Sequence, residues 1–389
     1  MKTLYKQITD YLTAQHEEMV SLLKQLVNIE SGPDQPEGVD AIIEIFKQEF
    51  DQLGLVSRTV EMEYAGSTID SIYTPEDVEN DAPIVLSGHM DTVFQPGVLS
   101  EHGFRMVDDR FAKGAGIADM KGGLVIALYT LKALIHLGYK KHPIKMLFIG
   151  DEETLHRNSN TREVMLEELT GASMMLNFEP ATEREHIGVS RKGGAMVTIE
   201  VEGIGAHSGG GAATGRSAIV ELAYKIIELE SKTDIQRGKL INCGLIEGGV
   251  STNTIPAHAK ANIAARFSNQ TTKDEIIRDL EEAVGNSHIQ DTTARYEIES
   301  YLDAMEFTPA VAQLADHFIR IGSDCGYGDL IKNKSEGVSD ASLGVVAGVP
   351  TLCSMGIIGS GAHTLDEKAD LESLVSKAVL AVSGIIAYK

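Results

Sequence analysis

The chain has 389 residues, of which 43% are hydrophobic and 23% are charged, a balance typical of a globular protein with a large core. It carries 34 Lys and Arg against 57 Asp and Glu, so its net charge of -23 repels nucleic-acid phosphates and anionic lipids. These numbers exclude a fibrous or disordered chain, argue against nucleic acid or membranes as partners, and favour two domains.

The cysteines and the first residues bear on the cellular compartment. Cys243, Cys325 and Cys353 are far apart and form no CxxC pair, so neither a disulfide framework nor a thiolate metal site is predicted. The first twenty residues are charged throughout, so we expect no signal peptide, and no apolar run is long enough to span a bilayer. These features predict a cytoplasmic protein.

The first predicted strand leads into polar side chains. Helical spacing of apolar residues predicts one amphipathic helix over residues 4–29 and another over 39–53, and the apolar run 83–86 then predicts a strand buried in a parallel sheet. His89 and Asp91 follow this strand. Because residues i and i+2 of an extended chain point the same way, Asp91 can orient the His89 imidazole, although such a pair is often only a hydrogen bond.

A glycine-rich segment, 114–123, precedes the next predicted helix, 124–137. Asp119 stands at the start of this helix, where it could simply cap the first turn. The crowded glycines indicate instead a close approach of the backbone to a bound group. A phosphate-binding loop is excluded because the GxxxxGK[ST] spacing is missing.

Two more predicted strands lead into carboxylates. The strand 144–149 is followed by Asp151, Glu152 and Glu153, and the strand 174–178 is followed by Glu179. Three consecutive carboxylates at a strand end are costly unless protons or cations offset their repulsion. Polar groups beyond the carboxyl ends of parallel strands face a ligand crevice, so we predict a functional site there.

The sequence changes its pattern at Gly193. Strand and helix patterns then follow in the order βαββαβ, which predicts an inserted ferredoxin-like domain over residues 191–301. Residues 1–190 and 302–389 are predicted to form an α/β domain with a mainly parallel sheet sandwiched by helices. Within the insert, His207, Asn253 and Arg266 lie near glycine-marked loops and a strand end, where turn or surface roles are the ordinary expectation.

The last predicted strand, 349–355, is followed by a loop that contains His363. Side chains of metal-ligand type therefore lie at strand ends or at a helix start, namely His89, Asp119, Glu153, Glu179 and His363. Nitrogen and oxygen ligands of this kind suit Zn²⁺, with Mn²⁺ or Co²⁺ as alternatives. Since one ion needs about four ligands, a pair of ions that shares a carboxylate is predicted.

Several motifs occur in the order and approximate spacing of a known family. They are GHMDTV (88–93), GIADMKGG (116–123), DEE (151–153), FEP around Glu179, and the late His363. With these motifs, nearly all of the chain resembles the M20 family of metallopeptidases, most closely its glutamate carboxypeptidase (carboxypeptidase G2-like) branch. The resemblance implies a zinc exopeptidase-like catalytic domain with an inserted lid and dimerisation domain.

The resemblance also implies the metal ligands. One zinc ion would be bound by His89, Asp119 and Glu179, and a second by Asp119, Glu153 and His363. Asp119 would therefore bridge the two ions, which would number two per subunit.

Two further residues receive roles from the resemblance. Asp91 would orient His89, and Glu152 would take the proton from the water that bridges the metal ions and return it to the leaving amine. If the DEE segment is extended, Glu152 and Glu153 point to opposite sides. Glu153 could then bind metal while Glu152 faces the substrate.

The family's inserted domain contributes to the substrate site. His207 matches a histidine that reaches across the dimer to donate to the amide carbonyl oxygen. Asn253 and Arg266 fall where the family binds a substrate carboxylate. The resemblance thus implies a homodimeric di-zinc carboxypeptidase for small peptides, with a preference for C-terminal glutamate as the finer expectation.

Two alternatives stay open at this point. Within the family, an N-acyl amino acid deacylase or a di- or tripeptidase uses the same metal chemistry. Outside it, the chain could be a binding protein that has kept the fold and lost catalysis. The presence of Glu152 beside a complete ligand set argues against the second alternative.

Three segments depart from the family pattern. Residues 154–160 read TLHRNSN in place of a Gly/Ser-rich turn, and residues 336–340 read EGVSD in place of a GGTD-like segment. Arg191 and Lys192 occupy a place that is often uncharged. Together with Arg266 in one pocket, these two cations would favour a substrate with an acidic C-terminal residue.

Overall fold

The computed structural model describes residues 2–63, 65–157 and 159–388, and the chain divides into two compact units. Unit 1 comprises Met1–Ser190, Phe307–Ser335 and Ser339–Lys389, and unit 2 comprises Arg191–Glu306 and Glu336–Val338. Among the described residues, no helix combines the length and the apolar composition needed to cross a membrane.

The elements are as follows. The helices are α1 (Lys2–Ala14), α2 (His16–Val27), α3 (Pro36–Gln52), α4 (Leu99–His102), α5 (Gly122–His136), α6 (Thr161–Leu169), α7 (Ala218–Ser231), α8 (Gln270–Gly285), α9 (Pro309–Cys325), α10 (Ala341–Val346) and α11 (Glu372–Ala387). The strands are β1 (Val56–Val60), β2 (Gly66–Tyr73), β3 (Ile84–His89), β4 (Arg105–Met106), β5 (Phe111–Lys113), β6 (Ile144–Gly150), β7 (Met174–Asn177), β8 (His186–Arg191), β9 (Gly193–Glu202), β10 (Ala206–His207), β11 (Leu240–Gly248), β12 (Thr254–Ile255), β13 (His258–Phe267), β14 (Thr293–Leu302), β15 (Ile331–Ser335), β16 (Thr351–Leu352), β17 (Ile358–Ser360) and β18 (Lys368–Asp370). A π-helical turn covers Ile117–Lys121, and a 3₁₀ turn covers Glu152–Thr154. The predicted helix over 4–29 is two helices, because the chain breaks between α1 and α2 at Gln15.

The main sheet of unit 1 is mainly parallel, in agreement with the sequence-based expectation, and an antiparallel hairpin at one edge makes it a mixed sheet. Its order is β1-β2-β6-β3-β7-β16, and β6, β3, β7 and β16 pair in parallel. β1 and β2 are antiparallel to each other, and β2 is antiparallel to β6. The connection from β1 to β2 is too short for a parallel crossover, so the two strands form a hairpin at the sheet edge.

The centre of unit 1 is apolar on both faces of the sheet. All residues of β3 are buried, and α5 is buried nearly all round, from Leu124 to Leu134. A Cβ on Gly123 would lie 1.9 Å from the carbonyl oxygen of Phe178, so glycine is required for α5 to pack against the end of β7. This glycine therefore permits close packing within the protein, and not the approach to a bound group that its sequence context predicted.

Unit 2 is built from one antiparallel sheet and two helices. The chain order is β9-α7-β11-β13-α8-β14, with the small strand β12 before β13, and the sheet order is β11-β13-β9-β14. Side chains from both helices and from the sheet share one core, which includes Ile199, Leu222, Ile263 and Leu280. β13 alternates buried and partly buried residues, as a strand with one face on a core does.

Candidate active site

The functional residues of unit 1 follow three neighbouring strands. His89 is the last residue of β3, Glu152 and Glu153 follow β6, and Glu179 lies two residues beyond β7. β6, β3 and β7 are adjacent and parallel, so their carboxyl ends meet at one edge of the sheet. This is the edge at which open α/β sheets place their ligands.

Within the described residues, two groups of side chains could hold a metal ion, and the ligand atoms of each group lie within 4.8 Å of one another. In the first group, His89 Nε2 lies 3.2 Å from Asp119 Oδ1 and 3.7 Å from Glu179 Oε1. In the second group, His363 Nε2 lies 3.3 Å from Asp119 Oδ2 and 3.2 Å from Glu153 Oε2. The structure thus brings together all five residues that the sequence marked as ligands.

Asp119 is the residue that the two groups share. Its Oδ1 faces His89 and its Oδ2 faces His363, so each oxygen serves a different group. Asp119 has non-helical dihedral angles (φ -113°, ψ 93°), and its peptide bond to Met120 is cis. The N-cap position of α5 is Lys121, so Asp119 does not cap this helix.

Asp91 connects His89 to the carboxylates after β6. Its Oδ1 lies 3.3 Å from His89 Nδ1, and its two oxygens accept hydrogen bonds from the backbone N–H groups of Glu152 (3.2 Å) and Glu153 (2.9 Å). The DEE segment is not extended, because residues Glu152–Thr154 form a 3₁₀ turn. Both glutamates therefore lie in a tight turn whose backbone N–H groups are bound by the Asp91 carboxylate.

The electrostatics of the site show an excess of buried negative charge. Burial raises the pKa of Glu152 well above its usual value, and the charges of Glu179, Asp340 and Glu153 add to this effect against an opposing contribution of His89. Burial likewise raises the pKa of Glu153. The negative charge of these two carboxylates is therefore only partly balanced by the positive groups of the protein itself.

The two histidines respond in the opposite direction. Hydrogen bonds to Asp119 and Glu153 raise the pKa of His363 to about 10. Burial lowers the pKa of His89, but its contacts with Asp119 and Asp91 outweigh burial and raise the pKa well above its usual value. Despite burial, the same two imidazoles lower the pKa of Asp119. Buried carboxylates and imidazoles that lie this close together are suited to binding cations. Their nitrogen and oxygen atoms are of the kind that binds Zn²⁺.

One buried pair near Glu152 was not predicted from the sequence. His156 Nε2 lies 3.1 Å from Asp340 Oδ1, and both side chains are almost fully buried. Leu155 and His156 both adopt left-handed backbone angles, with φ of 54° and 56°, which costs energy in residues other than glycine. The two partners belong to the segments that depart from the family pattern, but no local signal indicated that these segments meet.

Glu367 was also missed. Its buried carboxylate accepts hydrogen bonds from the backbone of the loop that carries Asp119, and burial raises its pKa to about 7 although these bonds oppose the shift. No pattern in the sequence distinguishes this glutamate from the other carboxylates in the chain.

In unit 2, the structure brings His207 and Asn253 together. β10 and β12 pair, with His207 opposite Thr254, and the N–H of Ser208 donates to the carbonyl oxygen of Asn253 at 2.9 Å. The Nδ1 atom of His207 accepts from the backbone N–H groups of the next two glycines, at 3.1 and 3.2 Å. In neutral His207 the proton is therefore on Nε2, the atom that remains to donate.

Arg266 is not brought to His207 within unit 2. It lies near the end of β13, opposite Gly194, whereas His207 lies near the start of β13 through its pairing with β12. At about 3.3 Å per residue, the two ends of this strand are separated by more than roughly 20 Å. Lys192, by contrast, lies at the same end of the sheet as Arg266 and forms an ion pair with Glu336.

Comparisons with known proteins agree with this geometry. Residues 85–386 match the profile of peptidase family M20/M25/M40. Carboxypeptidase G2 of Pseudomonas sp. (strain RS-16) is 28% identical over 356 residues, which cover 90% of this chain and 84% of that protein.

Two solved structures share the fold. The aminopeptidase PepT of Bacillus cereus superposes with a TM-score of 0.76 at 20% identity, covering 96% of this chain and 99% of that one. The M20 family metallo-carboxypeptidase Sso-CP2 of Sulfolobus solfataricus has a TM-score of 0.71 at 18% identity, covering 95% of this chain and 98% of that one. The family match spans most of the chain, and we conclude that this protein is a hydrolase of the M20 family of metallopeptidases.

Proposed function

We propose that the protein is a di-zinc carboxypeptidase that hydrolyses an amide bond next to a free C-terminal carboxylate. The observation that carries the proposal is Asp119, whose two oxygens face two separate ligand groups beside the buried Glu152. A named carboxypeptidase matches over 90% of the chain, which supports this reaction over others in the family.

In this proposal His89, Asp119 and Glu179 bind one zinc ion, and Asp119, Glu153 and His363 bind the other. When bound, the two ions would lower the pKa of the attacking water and polarise the scissile carbonyl. Asp91 orients His89 through Nδ1, and it also fixes the turn after β6 through two backbone N–H groups.

Glu152 is proposed as the general base and then the general acid. Its carboxylate accepts one proton from the attacking water and delivers that proton to the nitrogen of the leaving amine as the C–N bond breaks. Burial and the neighbouring carboxylates raise the pKa of Glu152, which makes its ionised carboxylate a stronger base. The products are a free amino acid and the shortened acid.

We propose that His207 acts across a homodimer. His207 donates from Nε2 to the carbonyl oxygen, while Asn253 from the same subunit as His207 and Arg266 from the other subunit bind the substrate carboxylate. Within one chain, His207 and Arg266 lie at opposite ends of β13, and a dipeptide spans only about 7 Å. One substrate can therefore meet both only if they come from different subunits.

The edge of unit 2 supports the homodimer. β11 is the outer strand of its sheet, and Leu245 and Ile246 on it are 64% and 55% exposed. On the neighbouring helix α7, Tyr224 and Ile227 are 47% and 68% exposed. An open edge strand beside an apolar helix face is suited to pairing with a second copy of itself.

The domain roles follow from these assignments. We propose that residues 1–190 and 302–389 form the catalytic metal-binding domain and that residues 191–301 form the lid and dimerisation domain. We further propose a cytoplasmic location, because Cys243, Cys325 and Cys353 are thiols and not disulfides.

A preference for a C-terminal glutamate is the finer part of the proposal. Arg191 and Lys192 are both 8% exposed, and Arg266 shares their end of the unit 2 sheet. The Arg191→Ala, Lys192→Ala double variant should lose the preference for glutamate over leucine substrates. An unchanged ratio of the two kcat/KM values would contradict the assignment.

The proposed function is tested with a panel of dipeptides, tripeptides and N-acyl amino acids that differ in the C-terminal residue. Zinc-loaded protein should cleave the bond before a free C-terminal residue, and Glu152→Ala should not. Cleavage of N-acyl amino acids alone would indicate a deacylase, and removal of N-terminal residues from tripeptides would indicate an aminopeptidase. If no amide is cleaved while both metals are bound, the protein either acts on an amide outside the panel or is a binding protein.

A further inference from the structure

The loop that carries Asp119 is held by one buried carboxylate from a distant part of the chain. Glu367 is 1% exposed. Its Oε1 accepts hydrogen bonds from the backbone N–H groups of Ala118 and Asp119, at 2.7 and 2.9 Å, and its Oε2 accepts one from Gly116 at 2.9 Å. Three backbone donors of the stretch 116–119 therefore point at a single side chain.

Strand pairing explains why Glu367 reaches this loop. β5 and β18 are antiparallel, with Lys113 opposite Lys368, so the residues after β5 run beside the residues before β18. The carbonyl of Glu367 extends the pairing by accepting from the N–H of Gly114 at 3.3 Å. The sheet thus delivers the Glu367 side chain to the stretch 116–119.

The same segment also carries His363. Two consecutive turns shape it, because the N–H of Thr364 donates to Gly361 at 3.1 Å and the N–H of Glu367 donates to Thr364 at 3.2 Å. His363 belongs only to the second ligand group, whereas Asp119 belongs to both. One short segment therefore supplies one ligand directly and holds the shared ligand through its backbone.

We propose that Glu367 is a positioning residue for both metal sites, because it holds Asp119 where its two oxygens serve the two ligand groups. A carboxylate suits this task since both of its oxygens accept hydrogen bonds. A glutamine would turn an N–H donor toward one of the three backbone donors and lose that bond. The inference rests on the two-metal site proposed above.

The test measures metal binding and not catalysis. Wild-type protein, Glu367→Gln, His363→Ala and Asp366→Asn are stripped of metal, reloaded with Zn²⁺, and titrated with a chelator while bound zinc is counted. Asp366 is the matched control, because it directly precedes Glu367 on the same segment and its side chain pairs instead with Lys113 at 2.7 Å. The visible spectrum of Co²⁺-loaded protein gives a second readout of ligand geometry.

We expect the wild type and Asp366→Asn to bind two ions with the same affinities, and His363→Ala to lose one ion and keep the other. Glu367→Gln should weaken the binding of both ions by roughly 10- to 100-fold and change the Co²⁺ spectrum. Wild-type affinities in Glu367→Gln, or weakening of one ion only, would overturn the inference.

Two further outcomes are also decisive. If Glu367→Gln does not fold, Glu367→Asp is tested in its place. Aspartate keeps the negative charge, but its side chain is one methylene shorter and holds the carboxylate farther from the loop. Wild-type affinity for both ions in Glu367→Asp would overturn the inference. A wild-type protein that binds fewer than two ions would instead refute the two-metal function, and the inference with it.

Discussion

The two units bury their charges in opposite ways. In unit 2, Glu221 and Lys225 form an ion pair at 2.7 Å inside the core, and both side chains are almost completely inaccessible. Glu221 also accepts from the N–H groups of His288 and Ile289, while Lys225 donates to the carbonyl of Ala283. Burial raises the pKa of Glu221, but the bonds to Lys225 and to the backbone outweigh it and lower the pKa overall.

In unit 1, several buried carboxylates cluster near Asp119. Glu152 and Glu153 have raised pKa values because burial is reinforced by neighbouring carboxylates and is only partly offset by His89 and His363. The comparison teaches that the buried Glu221 of unit 2 has its positive partner within the fold. The buried carboxylates near Asp119 in unit 1 need bound cations to balance their charge. Substitutions in the two regions should therefore change activity and stability in different directions.

The largest effect is expected from Glu152→Gln, which tests the functional side of this contrast. Loss of a general base should lower kcat by roughly 10²- to 10⁴-fold. In chelator, the free energy of unfolding should not fall, because the variant removes one of several mutually repelling buried carboxylates. Steady-state kinetics and urea unfolding measure the two quantities.

The exposed Glu167 on α6 provides the control for this variant. Glu167→Gln should leave kcat and the free energy of unfolding unchanged. A Glu152→Gln enzyme that keeps more than a tenth of the wild-type kcat would show that Glu152 is not the base.

The next largest effect concerns the balanced pair of unit 2. Lys225→Met leaves Glu221 buried without its cation and should lower the free energy of unfolding by about 3–5 kcal/mol. The zinc content should stay the same, because both ligand groups lie in unit 1. Adding Glu221→Gln should recover part of the loss, and a single variant as stable as the wild type would contradict this account.

Zinc itself should stabilise the protein, since bound cations offset the repulsion among the buried carboxylates near Asp119. At free zinc about 100 times the dissociation constant, the expected gain is about 2.7 kcal/mol for each site. Thermal melts with and without zinc should show this gain in the wild type and in Lys225→Met. The gain should largely disappear in Asp119→Asn, and an undiminished gain there would argue against a shared ligand.

The smallest effect, expressed per pH unit, is a pH dependence of stability from a buried lysine outside the metal site. Lys377 on α11 donates to the carbonyls of His186 and Ser354, and burial lowers its pKa to about 7. Between pH 7 and its unfolded value of 10.5, the unfolded chain binds more protons, so stability should rise with pH in this window.

The slope due to Lys377 is at most about 1.4 kcal/mol per pH unit. Urea unfolding of the wild type and of Lys377→Met across this pH window measures it as a difference. Equal slopes in the two proteins would mean that Lys377 remains charged in the folded state.

The sequence predicted the site best where its chemistry follows the order of the strands. His89 and Glu179 come directly after apolar runs, and the parallel pairing of β3 and β7 places them at one edge. The family identified from the motifs is confirmed by the match over residues 85–386. The backbone around these residues was predicted less well, since Glu152 lies in a 3₁₀ turn and not in an extended segment.

The sequence by itself determined which side chains of metal-ligand type follow the strands, because strand burial and the residue that follows a strand are local properties that a short window contains. Only the tertiary structure decided that Glu367 holds the Asp119 loop, that His156 meets Asp340, and that β1 and β2 make the main sheet mixed. Each of these contacts depends on how separate strands and loops pair in space. Residues that meet across such long stretches of chain have no periodicity in common, so no sequence window could indicate their contact.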